Sequence, residues 1–117
     1  MFKRILKALM ALALGAGLTN AAWADRFEEI LSKGVIRIGV PLDVPPFGSQ
    51  NANREPEGFD VDMANMVAKA LGVKLELTQI TGANRIPFLL TDKVDVVISV
   101  MGLTPERAKQ IMFTAPY

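Results

Sequence analysis

Strand-like and helix-like segments alternate along this sequence, and this alternation constrains the fold more than any other feature. Short runs rich in β-branched and apolar residues occupy three places, at residues 35–40, 73–78 and 94–100. A helical pattern follows each run, at residues 59–71, at 84–90 and from residue 104 onward. This order predicts a three-layer α/β fold with a mainly parallel sheet and right-handed crossovers.

The segment 59–71 carries the clearest helical pattern. Its apolar residues recur at about four-residue spacing and predict a buried face formed by Phe59, Met63, Met66, Val67 and Leu71. Asp60 and Asp62 lie near the helix start, where acidic side chains are favourable, and residues two apart on a helix do not face each other. We therefore predict a structural role for both carboxylates rather than a shared metal or acid–base site.

Two loops are expected to meet at one edge of the sheet. In parallel sheets, ligands bind beyond the carboxyl ends of the strands, where the winding changes direction. If the strand at 35–40 lies between the other two, residues 41–57 and 99–105 converge at this edge. The first segment holds four of the seven prolines and predicts a long loop, and the second leads into Thr104 and Pro105, which predict a capped helix start. The sequence therefore predicts a binding cleft.

Two arginines lie beside this predicted cleft. Arg107 is one turn into the last helix, next to a loop with free backbone amides, and its guanidinium could hold a carboxylate through two parallel hydrogen bonds. Arg85 begins the short helix after the second strand and could supply a second cation. Each arginine could equally be a solvated surface charge, and the residues by themselves favour that interpretation.

The composition excludes several kinds of chemistry. The chain has no cysteine and no histidine, which excludes disulfides, histidine-based catalysis and histidine-ligated metal sites within it. No serine has a histidine to activate it, and no glycine-rich phosphate-binding motif is present. We therefore predict no catalytic residue, no metal and no cofactor, and we expect a protein that is not an enzyme.

The N-terminus predicts secretion. Residues 1–24 combine a basic start, an apolar run from Leu9 to Leu18 and a small-residue cleavage motif that ends at Ala24. We expect cleavage between Ala24 and Asp25 and a periplasmic product. The apolar run is too short for a span of about 20 residues, so no membrane span is expected after cleavage.

Cleavage would also change the charge of the chain. Removal of residues 1–24 takes away three of the 13 basic residues and none of the 12 acidic ones. The remaining chain, with 10 basic and 12 acidic residues, has no excess of positive charge for binding nucleic acid. Its start carries a short amphipathic pattern that predicts a helix at residues 26–33.

A set of motifs along residues 30–117 closely resembles the solute-binding proteins of family 3, the periplasmic receptors of polar amino-acid ABC transporters. In chain order these motifs are Ile38-Gly39-Val40, Pro45-Pro46-Phe47, Gly58-Phe59-Asp60-Val61-Asp62-Met63, Asn84-Arg85-Ile86-Pro87, Asp95-Val96-Val97-Ile98-Ser99, Thr104-Pro105-Glu106-Arg107 and Phe113-Thr114-Ala115-Pro116-Tyr117. The resemblance implies a periplasmic-binding-protein-like lobe that captures an amino acid and delivers it to a membrane permease. It also implies a monomer.

The resemblance assigns residues to the common part of an amino-acid ligand. The arginine that matches Arg107 binds the ligand α-carboxylate in the family. The positions that match Val100 and Gly102 help to hold the carboxylate and the α-amino group, Val100 through backbone atoms. Gly102 replaces a common serine or threonine, so this chain lacks a hydroxyl contact to the amino group.

The resemblance also places residues around the ligand side chain. Val44 stands where many relatives carry an aromatic residue that stacks on the ligand, and Gly82 stands where others have phenylalanine or serine. Arg85 resembles the arginine that meets the side-chain carboxylate in glutamate/aspartate receptors, but Pro41 replaces their second arginine. The resemblance therefore implies a weak preference for acidic amino acids.

Family 3 proteins have two lobes, and the resemblance places residues 25–117 in a partial N-terminal lobe, truncated before the second. We expect this polypeptide by itself to bind amino acids poorly or not at all, because the second lobe closes over the ligand. Two alternatives share the fold. One is a periplasmic dehydratase that resembles cyclohexadienyl dehydratase, and the other is the sensor domain of a receptor.

Overall fold

The computed structural model describes residues 21–117. In chain order the elements are α1 Ala21–Lys33, β1 Val35–Pro41, β2 Ser49–Gln50, β3 Pro56–Glu57, α2 Phe59–Leu71, β4 Lys74–Ile80, α3 Arg85–Leu90, β5 Val96–Val97 and α4 Pro105–Ala108. The predicted alternation of strands and helices is confirmed. The described helices include none that is both long and apolar enough to cross a bilayer.

The main sheet is fully parallel and has β1 at its centre, in the order β4-β1-β5. β1 pairs with β4 along its whole length, from Val35 opposite Lys74 to Pro41 opposite Ile80. On its other side, β1 pairs with β5 at Ile38 and Gly39. The central position assumed for the first strand is the observed one, so the loops after all three strands leave the same edge of the sheet.

The core lies between β1 and the helices that pack on it. Alternate residues of β1 point to one face of the sheet, and Ile36, Ile38 and Val40 are all buried there against α2 and Ile30 of α1. Gly39 points to the other face, where Ile80 and Val97 approach it closely. Burial of several branched side chains, each worth about 1.5–3 kcal/mol, fixes the position of the sheet.

The buried face of α2 differs from the predicted one. Val61, Ala64 and Ala68 are buried, whereas Phe59 is 51% exposed and Met66 is 64% exposed. The prediction followed the larger apolar side chains, but the helix packs closely on β1 and small residues fit this contact. The inclusion of Met66 and Phe59 in the core was wrong, while Met63, Val67 and Leu71 are partly buried at its margin.

β5 is shorter than the predicted strand at 94–100. Only Val96 and Val97 form the strand, although Val94 and Ile98 on either side of it are buried and Val100 is exposed. Ile98 N donates to Gly39 O of β1, and Pro41 further along β1 has no N–H to donate to a longer β5. The chain therefore leaves the sheet at Ser99.

The segment 41–57 is more ordered than the predicted long loop. β2 and β3 form a short antiparallel hairpin. The Asn51 Oδ1 atom accepts hydrogen bonds from Asn53 N at 2.8 Å and Glu55 N at 3.0 Å, which closes the turn between the two strands. This side-chain turn explains why a segment rich in proline and asparagine holds a defined shape.

Buried and half-buried charges join the elements at the amino end of the sheet. The side chain of Asp95, only 3% exposed, accepts bonds from Arg37 Nη2 at 2.6 Å and Arg26 Nη1 at 3.2 Å. Burial opposes the ionisation of Asp95, but the hydrogen bonds and charge of Arg37 outweigh it and lower the pKa of Asp95. The hydrogen bond to Asp95 in turn raises the pKa of Arg37. This cluster of Arg26, Arg37 and Asp95, which we call the amino-end cluster, ties α1 to β1 and to the start of β5.

Helix α1 already includes Ala21, the first described residue, whereas the predicted helix covered residues 26–33. The predicted cleavage point between Ala24 and Asp25 therefore lies within this helix. The predicted signal peptide falls outside the described residues except for its last four positions. The signal peptide and the domain boundary at residue 25 stay predictions.

Candidate functional site

The loops that follow β1, β4 and β5 enclose a cavity of about 230 Å³ at the carboxyl edge of the sheet. This is where ligands bind in parallel α/β sheets. The lining residues come from all three loops and are Pro41, Asp43, Val44, Ile80, Thr81, Gly82, Arg85, Ser99 and Val100. The predicted convergence of loops is confirmed, with the addition of the loop after β4.

Arg85 extends from the start of α3 towards the loop after β5. The turn before it is fixed by Asn84, whose Oδ1 atom accepts a hydrogen bond from Thr81 N at 2.8 Å. Arg85 Nη1 donates to Val100 O at 3.0 Å and to Ser99 Oγ at 3.4 Å. Since a guanidinium has five N–H groups, further donors of Arg85 stay available to a ligand.

Arg107 contacts the same loop from the start of α4. Thr104 caps α4 by accepting a bond from Arg107 N at 3.3 Å, which confirms the predicted capped helix start. Arg107 Nη1 donates to Gly102 O at 2.7 Å. The two arginines thus bind carbonyl groups of one short loop, residues 99–104.

The charge of this arginine pair is not neutralised by carboxylates within the described chain. Neither Arg85 nor Arg107 forms an ion pair among residues 25–117. Burial, followed by the charge of Arg107, lowers the pKa of Arg85. Two positive charges held close together without an acidic partner favour an anion at this edge of the sheet.

The six predicted site residues divide into two groups by position. Val44, Gly82, Arg85 and Val100 line the cavity, while Arg107 and Gly102 lie beside it and do not line it. A Cβ atom built on Gly102 would lie 3.8 Å from Arg107 Nη1, so the two predicted residues are neighbours. Their roles in binding stay predictions.

Sequence reasoning missed Asp43, the one carboxylate among the residues that line the cavity. Its side chain takes part in none of the ion pairs formed within residues 25–117. A single acidic residue in a proline-rich loop produces no periodic pattern in the sequence. Only its closeness to the end of β1 could have indicated that it lines the cavity.

Another carboxylate, which unlike Asp43 is buried, lies away from the cavity. Asp60 is fully buried at the start of α2, and its Oδ1 atom accepts a bond from the Tyr117 hydroxyl at 3.2 Å. Burial raises the pKa of Asp60, and burial together with Asp60 raises the pKa of Tyr117 to about 12. The Tyr117 ring also stacks on Phe59 with centroids 6.1 Å apart. Asp62 is exposed, so the two carboxylates are separated, as predicted for a structural role.

Comparison with known proteins identifies the family. Residues 36–117 match the family described as bacterial extracellular solute-binding proteins, family 3. The chain is 34% identical to cyclohexadienyl dehydratase of Pseudomonas aeruginosa over 99% of its own length and 43% of that protein. It is 44% identical to ABC transporter arginine-binding protein 1 of Escherichia coli over 70% of its length and 34% of that protein.

Solved structures agree with this family. The arginine-bound form of domain 1 from TmArgBP, from T. maritima, is 45% identical, with a TM-score of 0.73. That match covers 76% of this chain and 71% of the solved domain. Further curated relatives include proteins that bind cystine and glutamine. The chain spans between 34% and 44% of the length of these curated relatives. By its family match, fold and relatives, the chain belongs to the family 3 bacterial extracellular solute-binding proteins.

Proposed function

We propose that this chain carries the carboxylate-binding half of an amino-acid site in the substrate-binding component of an ABC transporter. The observation that carries the proposal is the arginine pair, Arg85 and Arg107, which lies at the carboxyl ends of parallel strands without an acidic partner in the described chain. An amino acid brings the missing negative charge as its α-carboxylate. The binding is non-covalent, and the protein releases the same molecule to a permease.

The contacts proposed for the common part of the ligand follow from the loop between the two arginines. Arg107 and the free donors of Arg85 hold the α-carboxylate through charge-assisted hydrogen bonds. The Val100 carbonyl already accepts one bond from Arg85, and its second lone pair can accept one from the ligand ammonium. Gly102 offers no hydroxyl, so the ammonium has one partner fewer than in relatives with serine at that position.

The solved neighbour supports binding by a first lobe without its partner. Domain 1 of TmArgBP was solved by itself in an arginine-bound form. This supports measurable amino-acid capture by the present chain, against the sequence-based expectation that the polypeptide binds poorly or not at all. Closure of a second lobe would then strengthen capture rather than create it.

Calorimetric titration of the purified protein with L-arginine, L-glutamine, L-cystine and L-glutamate tests the proposal. We expect saturable one-to-one binding of at least one of these amino acids, and affinity about 100-fold weaker in Arg107→Ala. Absence of heat for all four ligands, with a folded protein by circular dichroism, would contradict the proposed function.

A dehydratase is the second candidate, because the relative that matches 99% of this chain is a cyclohexadienyl dehydratase. Asp43 is the only carboxylate among the described residues that line the cavity and would have to act as the proton donor for loss of water. Incubation with a cyclohexadienyl substrate and chromatographic detection of product distinguishes the candidates. Turnover that is lost in Asp43→Asn would replace the binding proposal.

We also propose that the protein acts as a monomer outside the cytoplasmic membrane, after removal of residues 1–24. The family match and the sequence of the N-terminus support this location. Mass spectrometry of the periplasmic fraction should find a chain that begins at Asp25. A product that retains residue 1 in the membrane fraction would contradict it.

A further inference from the structure

We propose that Asp43 selects an amino acid with a cationic side chain, a guanidinium or an ammonium, for the cavity that it shares with Arg85. This inference rests on the proposed function and names the substrate class of the same site. It assigns the ligand α-carboxylate to the arginine pair and the ligand side chain to the opposite wall.

The loop after β1 holds Asp43 in a fixed place. Val44 N donates to Gly48 O at 2.9 Å and Gly48 N donates to Val44 O at 3.0 Å, so the residues just after Asp43 form a closed turn. A Cβ atom on Gly48 would overlap the carbonyl oxygen of Pro41. The turn therefore packs directly on the end of β1. Pro41, Asp43 and Val44 together form one wall of the cavity.

The carboxylate of Asp43 is available to a ligand. Its residue is exposed, and its side chain forms no hydrogen bond or ion pair to any other residue in the described part of the chain. It is therefore separated from the arginine pair by more than ion-pair distance, although it lines the same cavity as Arg85. The cavity is dipolar, with cations at the loop 99–104 and an anion at the loop after β1.

The cavity has room for a long side chain between the loop after β1 and the loop after β4. A Cβ atom on Gly82 would have no other atom within 4 Å, and Val44 is 39% exposed. Apolar surface from Pro41, Val44 and Ile80 can contact the methylene groups of a lysine or arginine side chain, while its charged end reaches a carboxylate. An aromatic residue at position 44 or a larger residue at position 82 would occupy this space.

A cationic ligand differs from the weak preference for acidic amino acids that the resemblance of Arg85 to an arginine of glutamate/aspartate receptors implies. Arg85 already donates two hydrogen bonds to the loop at Ser99 and Val100 and acts together with Arg107. An acidic side chain directed to the opposite wall would meet the like charge of Asp43, and like-charge contacts select against a ligand. The charges of the cavity therefore favour a cationic ligand over an acidic one.

The test compares Asp43→Asn with Asp62→Asn, since Asp62 is an exposed carboxylate outside the cavity. Calorimetry of each purified protein uses L-arginine, L-glutamine and L-glutamate. We expect the unaltered protein to bind arginine most tightly. We expect Asp43→Asn to lower the affinity for arginine at least about tenfold, because one charged hydrogen bond is lost. The affinity for glutamine should change less than about threefold. Asp62→Asn should change neither affinity.

The inference would be overturned if Asp43→Asn lost equal affinity for arginine and glutamine, or if the unaltered protein bound glutamate most tightly. Either result would leave the proposed function standing. Absence of binding by all three amino acids would instead overturn the proposed function. Circular dichroism and thermal unfolding of Asp43→Asn show that the variant is folded, which is expected because its side chain has no partner to lose within the described structure.

Discussion

The two ends of the three-stranded sheet each hold a pair of arginines, but within residues 25–117 only the amino end pairs them with carboxylates. At the amino end, Arg26 and Arg37 surround the almost fully buried Asp95. At the carboxyl end, Arg85 and Arg107 bind only uncharged oxygen atoms of residues 99–102 within the described chain. Arginine side chains thus join structural elements through ion pairs at the amino end, whereas at the carboxyl end they are unpaired charges at a cavity.

This difference shows how to separate structural charges from functional ones. A buried charge without a partner costs free energy, and a buried pair broken by mutation costs more than the intact pair contributes. The amino-end cluster is complete without any ligand, so its loss should affect folding. The arginine pair at the carboxyl end is incomplete, so its loss should affect binding and spare folding.

The largest expected effect comes from Asp95→Asn at the amino end. It leaves Arg26 and Arg37 without their shared carboxylate, and we expect the free energy of unfolding to fall by about 3 kcal/mol. Urea denaturation followed by circular dichroism measures this change. A loss below about 1 kcal/mol would mean that the cluster is a surface ion pair of little consequence.

The pH dependence of stability should report on the same cluster. Folding lowers the pKa of Asp95 below the value of about 3.9 of an unfolded chain, so its contribution is present above about pH 4 and is lost as the pH falls through the folded pKa. Folding raises the pKa of Asp60, whose contribution is present below about pH 4 and is lost as the pH rises through its folded pKa. The stability difference between the unaltered protein and Asp95→Asn should therefore shrink in acid, and a constant difference from about pH 7 to pH 2 would argue against the lowered pKa.

Arg107→Ala and Arg26→Ala form a matched pair across the two ends. Removal of Arg107 should weaken the amino-acid ligand about 100-fold, equivalent to roughly 2.7 kcal/mol, and change the free energy of unfolding by less than about 0.5 kcal/mol. Removal of Arg26 should lower stability by about 1 kcal/mol and leave affinity unchanged, because Arg26 contacts Asp95 and Asp92 at the far end. Loss of affinity in both variants, or loss of stability in both, would contradict the separate roles of the two ends.

The smallest expected effect comes from Gly102→Ser. The nearest atom to a Cβ at this position is Arg107 Nη1 at 3.8 Å, which is an ordinary contact, so the substitution fits without displacement. The new hydroxyl could accept a hydrogen bond from the ligand ammonium and should raise affinity about threefold, a typical net value for one hydrogen bond. Gly102→Ala, which adds the Cβ without the hydroxyl, is the matched control and should leave the affinity unchanged.

The features predicted well from the sequence are those with a periodic or local signal. The parallel sheet followed from the strand–helix alternation, and the Thr104–Pro105 helix start followed from capping chemistry, whereas the central position of β1 was assumed. The inward face of α2 was misjudged because alanine carries a weak hydrophobic signal, although Ala64 and Ala68 allow the close approach to β1. Asp43 was missed because its place depends on how three separate loops meet, which no local pattern encodes.

The central claim is that the carboxyl end of the sheet captures an amino acid by its α-carboxylate. The direct measurement is calorimetric titration of the purified protein with L-arginine and L-glutamine, each compared with its α-carboxamide, which lacks the negative charge. We predict that each amino acid that binds does so at least about 100-fold more tightly than its carboxamide. This is the same factor as that expected for Arg107→Ala. Equal affinity for an amino acid and its carboxamide would contradict the claim.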